Sequence, residues 1–289
     1  MDRSEHAVGS APAVRVRAQV PDGLDRVWPA ITEPVQLARW FGAADFGAAD
    51  LAGEAGSEAG SAGRFDFDDG DFFVVTGRRV VDRQLVEFDW SFLGVGPVQR
   101  IRWSVREVPG GTEVLLEDDD PNRSPAEADQ MLAGWTDFAG RLARYLCTGE
   151  VSRYDWREEI DGGVDLAGGW HPLRLPELYR WLPVASDGFR PRWFFVVDED
   201  GPRRFELSDW KLHDNVALTF SLVVPDAIRH TSCMVTVEPL FTGQRLRFSH
   251  TGWRALGLPD SRARALRRRF AAAWTHSLDH ARGLSTGHN

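Results

Sequence analysis

The feature that most constrains this fold is a Trp-centred helical segment that occurs twice. The segment "AGWTDFAGRLARYL" spans residues 133–146, at the middle of the chain, and "AAWTHSLDHARGL" spans residues 272–284, near its end. Each follows the same order of elements, namely a Trp-bearing helical segment and then strands joined by glycine turns. A unit that ends on a long helix therefore occurs twice, and the sequence predicts two domains of similar architecture.

The helix of the first half begins with a recognisable capping pattern. Ser124 is a favourable N-cap, Pro125 suits the first helical position, and Glu127 completes a capping box. The apolar residues that follow recur at spacings of four and three, which is typical of one buried helix face. These residues are Met131, Trp135, Phe138, Leu142 and Tyr145.

The terminal helix begins at residues 259–261, and its apolar positions alternate with arginines. We expect an inner face of Leu266, Phe270, Trp274, Leu278 and Ala281. The arginines are expected to form a solvated face on the opposite side of the helix. They are Arg262, Arg264, Arg267, Arg268 and Arg269.

Strands are predicted where apolar and polar residues alternate between glycine turns. Hairpin-linked strands followed by a helix indicate an α+β fold rather than a parallel sheet. The predicted strands are 63–67, 84–92, 100–108 and 111–119 in the first half, and 192–197, 215–224, 232–240 and 243–253 in the second.

The repeat also predicts the domain ranges. We expect a flexible or disordered N-terminus at 1–12, a first domain at 13–150 and a second, diverged domain at 151–289. The helix break near 148–155 sets the boundary between the two domains. The segment 42–63 is rich in Gly, Ala and Glu, which predicts a flexible loop interrupted by a short strand.

The ordered motifs of the first half are similar to those of the SRPBCC (START-like) superfamily. They are VWPAITEPVQLARWFGA (27–43), GRFDF (63–67), GRRVVDRQLVEFDW (77–90) and GW (134–135). They resemble most closely the branch named for the activator of heat-shock-protein-90 ATPase. The resemblance implies tandem helix-grip domains, in each of which a curved antiparallel sheet wraps around a long C-terminal helix and encloses an apolar cavity. It also implies ligands such as lipids, polyketides or hormones and, in some members, cofactor-free cyclisation.

Strand parity predicts which side chains line the two cavities. We expect Trp40 and Phe41, after a short helix, to close the mouth of the first cavity. The chain has 12 Trp, and large flat side chains favour aromatic or polycyclic guests. The candidate ligand-binding residues are Trp40, Phe41, Phe88, Trp90, Trp103, Leu116, Met131, Trp135 and Phe138 in the first half, and Phe220, Phe248 and Trp274 in the second.

Two polar residues, Asp118 and His250, occupy equivalent inward positions at the ends of apolar rows. A desolvated carboxylate would have a raised pKa and serve as a general base. A histidine there would titrate near neutrality and serve as acid or base. The alternatives are a solvated strand end for Asp118 and a core histidine bonded to a backbone carbonyl for His250. Because the first half has the fuller motif, we expect the main site there.

Charge and composition exclude several other classes of protein. The net charge of −9 argues against nonspecific binding to nucleic acid or anionic membranes. Cys147 and Cys233 show no metal or redox spacing, so a reduced, cytoplasmic protein is expected. No cofactor or metal is expected, since His276 and His280 have no evident third ligand. The acidic stretch at 66–71 is predicted to be a hairpin turn rather than a calcium loop.

These observations favour a protein that binds a small hydrophobic molecule, aromatic or polyketide-like, with or without cofactor-free cyclase or dehydratase chemistry. The alternatives are a chaperone-associated protein-binding module and a stress-regulatory protein without catalysis. The identity of the ligand, the occurrence of turnover, any chaperone partner and the oligomeric state stay open at this point.

Overall fold

The computed structural model describes residues 13–46, 62–152, 155–168, 172–186, 188, 190–198, 201–240 and 243–286. Within them lie two seven-stranded sheets, and adjacent strands in both pair antiparallel. A long helix follows the last strand of each sheet. The predicted α+β fold with a repeated helix-grip unit is therefore confirmed.

The first unit begins with an edge strand that pairs with the last strand of its own sheet. The strand order is β1-β7-β6-β5-β4-β3-β2, so the chain returns to its starting edge before it enters the long helix. The elements are β1 (Val14–Val20), α1 (Leu24–Thr32), α2 (Pro34–Trp40), β2 (Ala43–Asp45), β3 (Gly63–Asp66), β4 (Phe72–Val81), β5 (Leu85–Phe92), β6 (Val98–Val108), β7 (Gly111–Asp119) and α3 (Pro125–Thr148).

The second unit repeats this topology strand for strand. Its order is β8-β14-β13-β12-β11-β10-β9, and a single short helix precedes the hairpins among its described residues. The elements are β8 (Ile160–Ala167), α4 (Leu175–Trp181), β9 (Val184–Ser186), β10 (Pro191–Asp198), β11 (Gly201–His213), β12 (Ala217–Val223), β13 (Thr231–Leu240), β14 (Gly243–Thr251), a 3-10 turn (Arg254–Leu256) and α5 (Asp260–Thr286).

The predicted N-terminal capping box of α3 is confirmed. The Ser124 hydroxyl accepts from the Glu127 backbone N–H, and the Glu127 carboxylate accepts from the Ser124 N–H at 2.8 Å. At the other end Gly149 has φ 72°, a left-handed conformation in which its N–H reaches the Tyr145 carbonyl. Glycine adopts this conformation without steric cost, so the helix ends where the sequence predicts.

The prediction for Arg267 is wrong. The expected solvated side chain is fully buried, whereas Leu266, expected on the inner face, is only half-buried. The physical reason is that residues 66–74 belong to the second unit and bring two buried carboxylates to α5. The buried face of α5 comprises Ala263, Arg267, Phe270, Ala271, Trp274, Ser277, Leu278, Ala281 and Ser285.

The Arg267 guanidinium is enclosed by oxygen atoms. It donates to the Asp71 carboxylate at 2.9 Å and to the backbone carbonyls of Asp69, Arg157 and Glu159 at 2.8, 2.6 and 2.6 Å. The planar fork of five N–H groups suits several acceptors at once. Burial raises the pKa of Asp71 to about 6, although Arg157 and Arg267 oppose the shift. The predicted turn at 66–71 is confirmed, and it also supplies an anchor that the sequence analysis missed.

The two compact units are not contiguous in sequence. Residues 66–74 and 91–97 belong with 155–289, and the remaining residues form the first unit. Leu93 and Val95, for example, lie in the core of the second unit. The predicted ranges 13–150 and 151–289 differ from these units in the two short segments, and independent folding of each half stays a prediction.

Two segments that the sequence predicts to be flexible lie largely outside the residues that the structure describes. The N-terminus at 1–12 lies outside the described residues, as do residues 47–61 of the loop predicted at 42–63. The start of that loop forms the short strand β2.

The Arg267 anchor should dominate the stability of the second unit. We expect Arg267→Met to lower the free energy of unfolding by about 3–5 kcal/mol, because buried Asp71 would lose its closest cation. Urea unfolding followed by Trp fluorescence measures the change. Arg268→Met is the matched control: it removes an exposed pair with Asp68 and should cost less than about 1 kcal/mol. Equal losses in both variants would contradict the anchor.

Candidate functional site

Aromatic rings line the inner face of the first unit at the predicted positions. Phe88 and Trp90 on β5 and Trp103 on β6 are buried, as is Leu116 on β7. From α3, Trp135 is buried, while Met131 and Phe138 are half-buried. Alternation along each strand places these side chains on one face, where they meet the helix.

Phe41 lies in the interior of this aromatic cluster rather than at its mouth. Its side chain is 2% exposed, and Trp40 beside it is fully buried. The Phe41 ring lies 6.1 Å from Trp135 and 6.4 Å from Trp90, with interplanar angles of 8° and 11°. The Trp90 and Trp135 rings are 5.4 Å apart at 18°. The structure therefore brings three nearly parallel rings together, and Phe41, which was expected to close the mouth of the cavity, is an interior residue.

Asp118 connects the sheet to the long helix. Its Oδ2 accepts from the Trp135 indole N–H at 2.8 Å, and its Oδ1 accepts from the Arg123 guanidinium, which also donates to the Asp118 carbonyl at 2.9 Å. Both charged side chains are almost completely buried. Burial raises the pKa of Asp118, while the bonds from Trp135 and Arg123 oppose the shift.

These contacts define what Asp118 can do. The predicted desolvation and raised pKa are confirmed, and the solvated strand end is wrong. Each carboxylate oxygen already holds a donor, so the group serves as an acceptor that positions Trp135. Arg123 was missed in the sequence, where the only signal is a lone basic residue after the acidic run at 117–120.

His250 occupies the equivalent place in the second unit. Its Nδ1 accepts from the Trp274 indole N–H at 3.1 Å, and its Nε2 lies 2.8 Å from the Thr231 hydroxyl. Because an indole can only donate, Nδ1 is unprotonated and the ring is neutral. Burial, with Arg267 nearby, lowers the pKa of His250 to about 3.

The expectation that His250 titrates near neutrality is therefore wrong, because its fully buried ring has no water to stabilise the charge. The core-histidine interpretation is correct about burial, although the side-chain partners are a hydroxyl and an indole rather than a backbone carbonyl. Cys233 stands opposite His250 in the sheet, and burial raises the pKa of its thiol well above the usual value.

The remaining candidates of the second unit also pack in its interior. Phe220, Phe248 and Trp274 are buried, and the Phe248 and Trp274 rings stack at 4.5 Å. A surface pocket of about 470 Å³ lies in this unit, where Trp210 stacks on Phe220 at 5.3 Å. None of the predicted ligand-binding residues lines it. Its lining is Leu175, Arg190, Pro191, Trp210, Lys211, Leu212 and His213.

The tryptophans in the interior of the first unit differ in how their indole N–H groups are bonded. The indole Nε1 of Trp103 is buried without a hydrogen-bond acceptor among the described residues. By contrast, the Nε1 atoms of Trp40, Trp90 and Trp135 donate to Ala30, Gln99 and Asp118 respectively. An unpaired buried donor carries a desolvation cost, so Trp103 marks a place where an acceptor would be stabilised.

Metal-binding clusters and membrane-spanning helices are both absent from the described ranges. There, no group of three or more His, Cys, Asp or Glu side chains is placed to hold a metal ion. His276 and His280 are exposed on α5 with ring centroids 6.4 Å apart. No helix in the described part of the chain has the length and apolar character needed to cross a membrane.

A family model and a solved structure identify the class of protein. The family model described as Activator of Hsp90 ATPase homolog 1-like protein matches residues 23–147. The whole fold is similar to the crystal structure of DynU16, a protein in the dynemicin biosynthetic locus. The identity is 46%, over 95% of this chain and 99% of that chain, with a TM-score of 0.85. The chain therefore belongs to the family that it shares with DynU16, the branch of the SRPBCC superfamily named for the activator of Hsp90 ATPase, and it has two tandem helix-grip units, as the motifs predict.

More distant structures are also similar. CalU16 from Micromonospora echinospora has 18% identity over 49% of this chain and 83% of that chain, with a TM-score of 0.36. The di-domain ARO/CYC StfQ from the steffimycin biosynthetic pathway has 15% identity over 94% and 98%, with a TM-score of 0.36. These values are too low to carry a functional argument. No curated protein matches the chain.

The Asp118 pair yields a stability prediction. We expect Asp118→Ala to lower the free energy of unfolding by about 3–5 kcal/mol, since it leaves Arg123 buried without its counter-ion and Trp135 without its acceptor. Denaturant unfolding checks this value. Asp119→Ala, at the exposed next position, should change it by less than about 0.5 kcal/mol. A loss below about 1 kcal/mol for Asp118→Ala would contradict the anchoring role.

The lowered pKa of His250 predicts a pH dependence. His250 takes up a proton near pH 6.5 in the unfolded chain but only near pH 3 in the folded chain. The stability that comes from neutral His250 is therefore complete above pH 6.5 and is lost as the pH falls from 6.5 towards 3. His250→Gln keeps one acceptor and one donor without titrating. The slope of unfolding free energy against pH should differ between parent and variant by up to about 1.4 kcal/mol per pH unit. Parallel slopes between pH 4 and 6 (about the middle of this window) would refute the assignment.

Proposed function

We propose that the first unit binds a small, planar, aromatic molecule inside its helix grip, in the place that the Phe41 ring occupies. The observation that carries this proposal is the nearly parallel set of Phe41, Trp90 and Trp135 rings. The two indoles already pack against one flat ring, and a flat ligand ring in the place of Phe41 would gain similar contact area. The surrounding side chains are apolar, so a guest would gain from leaving water.

Phe41 is the side chain that a ligand would displace with the least change to the surrounding structure. It follows the last residue of α2, whereas the other rings stand on β5, β6 and α3. Side chains on regular elements are held by their ladders and helix bonds, whereas a residue that ends a helix moves with less disruption. The ligand therefore needs only the displacement of one ring to reach the indoles.

The class of ligand is supported by the relative. DynU16 is described as a protein of a biosynthetic locus, which favours a small molecule over a macromolecule. A polyketide-like aromatic compound would meet both the shape and the apolar lining. This proposal keeps the main site in the first half, as its fuller motif led us to expect.

The polar residues support binding without turnover. Asp118 would have to release Arg123 or Trp135 before it could take a proton, and the low pKa of His250 keeps that ring neutral with both nitrogens engaged. Cofactor-free cyclase or dehydratase chemistry would need a free base, so we assign neither residue a proton-transfer role.

The second candidate function is a chaperone-associated binding module, which the description of the matching family model favours. In that case the aromatic interior would be packing alone, and apolar probes would not bind the unmodified protein. Titration of the unmodified protein with an apolar aromatic probe therefore separates the two candidates.

Phe41→Ala tests the proposal. We expect it to lower the free energy of unfolding by about 3–5 kcal/mol and to open a phenyl-sized space beside Trp90 and Trp135. Indane, a flat bicyclic hydrocarbon, should bind there and restore about 2.7 kcal/mol at a concentration of 100 Kd. Thermal denaturation with and without indane, together with calorimetric titration, measures both effects.

Trp210→Ala is the matched control, because it alters the surface pocket of the second unit. Indane binding should survive Trp210→Ala in the Phe41→Ala background and be lost on Trp90→Ala in that background. If indane does not bind the parent protein, the proposed function is wrong, because the space opened by Phe41→Ala would bind an apolar probe under either candidate. If only Trp210→Ala removes binding, the site lies in the second unit.

A further inference from the structure

The ligand of the first unit can be specified further, because its proposed site contains a donor without an acceptor. Trp103 is 1% exposed, and its Nε1–H has no acceptor among the described residues. The Phe41 ring lies 5.4 Å from the Trp103 ring at 85°, so the two meet edge to face. The orphan donor therefore belongs to a side chain in direct contact with the ring that the ligand would displace.

We propose that this site takes an aromatic compound with a neutral oxygen acceptor, such as a ring ketone or quinone carbonyl, and that the Trp103 Nε1–H donates to that oxygen. The inference rests on the proposed function, since it needs the ligand in the place of Phe41. A phenyl ring offers an N–H only a weak contact with its π face. A carbonyl oxygen in that place would satisfy the donor and remove the cost of its burial.

The charge of the surroundings selects a neutral acceptor over a carboxylate. The buried cation of this unit, Arg123, is bound to Asp118. A ligand carboxylate beside Trp103 would therefore be buried without a counter-ion, which is strongly unfavourable. The indole is a donor only, so a ligand hydroxyl would have to accept rather than donate. A carbonyl oxygen is neutral and only accepts hydrogen bonds, so it meets both conditions.

A matched pair of probes tests the carbonyl. 1-Indanone and indane share a bicyclic skeleton and differ at one position, where indanone has a C=O. In the Phe41→Ala background we expect indanone to bind about 2- to 10-fold more tightly than indane, the value of one net hydrogen bond. Adding Trp103→Phe should abolish this preference, because it keeps an aromatic ring and removes only the N–H.

Trp40→Phe is the control variant. Trp40 is buried in the same cluster with its ring 6.1 Å from Trp103, but its N–H is already bonded to the Ala30 carbonyl. This substitution should leave the preference for indanone unchanged. Equal affinity for the two probes, or a preference that survives Trp103→Phe, would overturn the inference while leaving aromatic binding intact. Binding of neither probe would remove the proposed function and the inference together.

A spectroscopic readout keeps the test valid if Trp103→Phe does not fold. The C=O stretching frequency of 1-indanone falls when its oxygen accepts a hydrogen bond. We expect the infrared band of the bound probe in the Phe41→Ala protein to lie below its position in a hydrocarbon solvent. A bound band at the hydrocarbon position would overturn the inference.

Discussion

The hydrogen bond between the tryptophan of the long helix and the last strand organises both units. In the first unit the Trp135 N–H reaches Asp118 at 2.8 Å, and in the second the Trp274 N–H reaches His250 at 3.1 Å. Each bond lies in a buried environment, where an unsatisfied indole or acceptor would be costly. It fixes the height and rotation of the helix against the sheet, and the other aromatic rings pack around that arrangement.

The same constraint explains why the two units diverge. Asp118 carries a charge, so its unit also needs the buried Arg123, whereas neutral His250 needs only the Thr231 hydroxyl. In both units the inward polar residue, which resembles a catalytic base in sequence, is occupied in holding the helix. In the first unit the buried Trp103 N–H has no acceptor among the described residues, and its ring lies beside Phe41, where we propose that the ligand binds. Ligand recognition, rather than proton transfer, is the chemistry that this arrangement favours.

Local patterns predicted much of this structure because local physics determines it. The strand β7 covers the predicted residues 111–119, and the capping box at Ser124 sets the start of α3. Alternation identified the buried faces of β5, β6 and β7, since the side-chain period of a strand is two. The inward Asp118 and His250 were found in the same way, although their roles depend on partners that parity does not reveal.

The errors arose where distant segments meet. Arg267 lies 196 residues from Asp71, so no helix period could show that an inward arginine would find a carboxylate. Trp210 reaches the surface pocket after an irregularity in β11 at Asp209, which has φ 54° without being glycine. Phe41 follows a helix end, where neither a helical nor a strand period predicts the direction of the side chain.

The central claim is that a flat aromatic ligand replaces the Phe41 ring. Nuclear Overhauser contacts from 1-indanone bound to the unmodified chain test this claim most directly. We expect contacts from the probe to the ring protons of Trp90 and Trp135, together with loss of the contacts between the Phe41 ring and those two indoles. Contacts from the probe to Trp210, with the Phe41 ring unmoved, would contradict the claim.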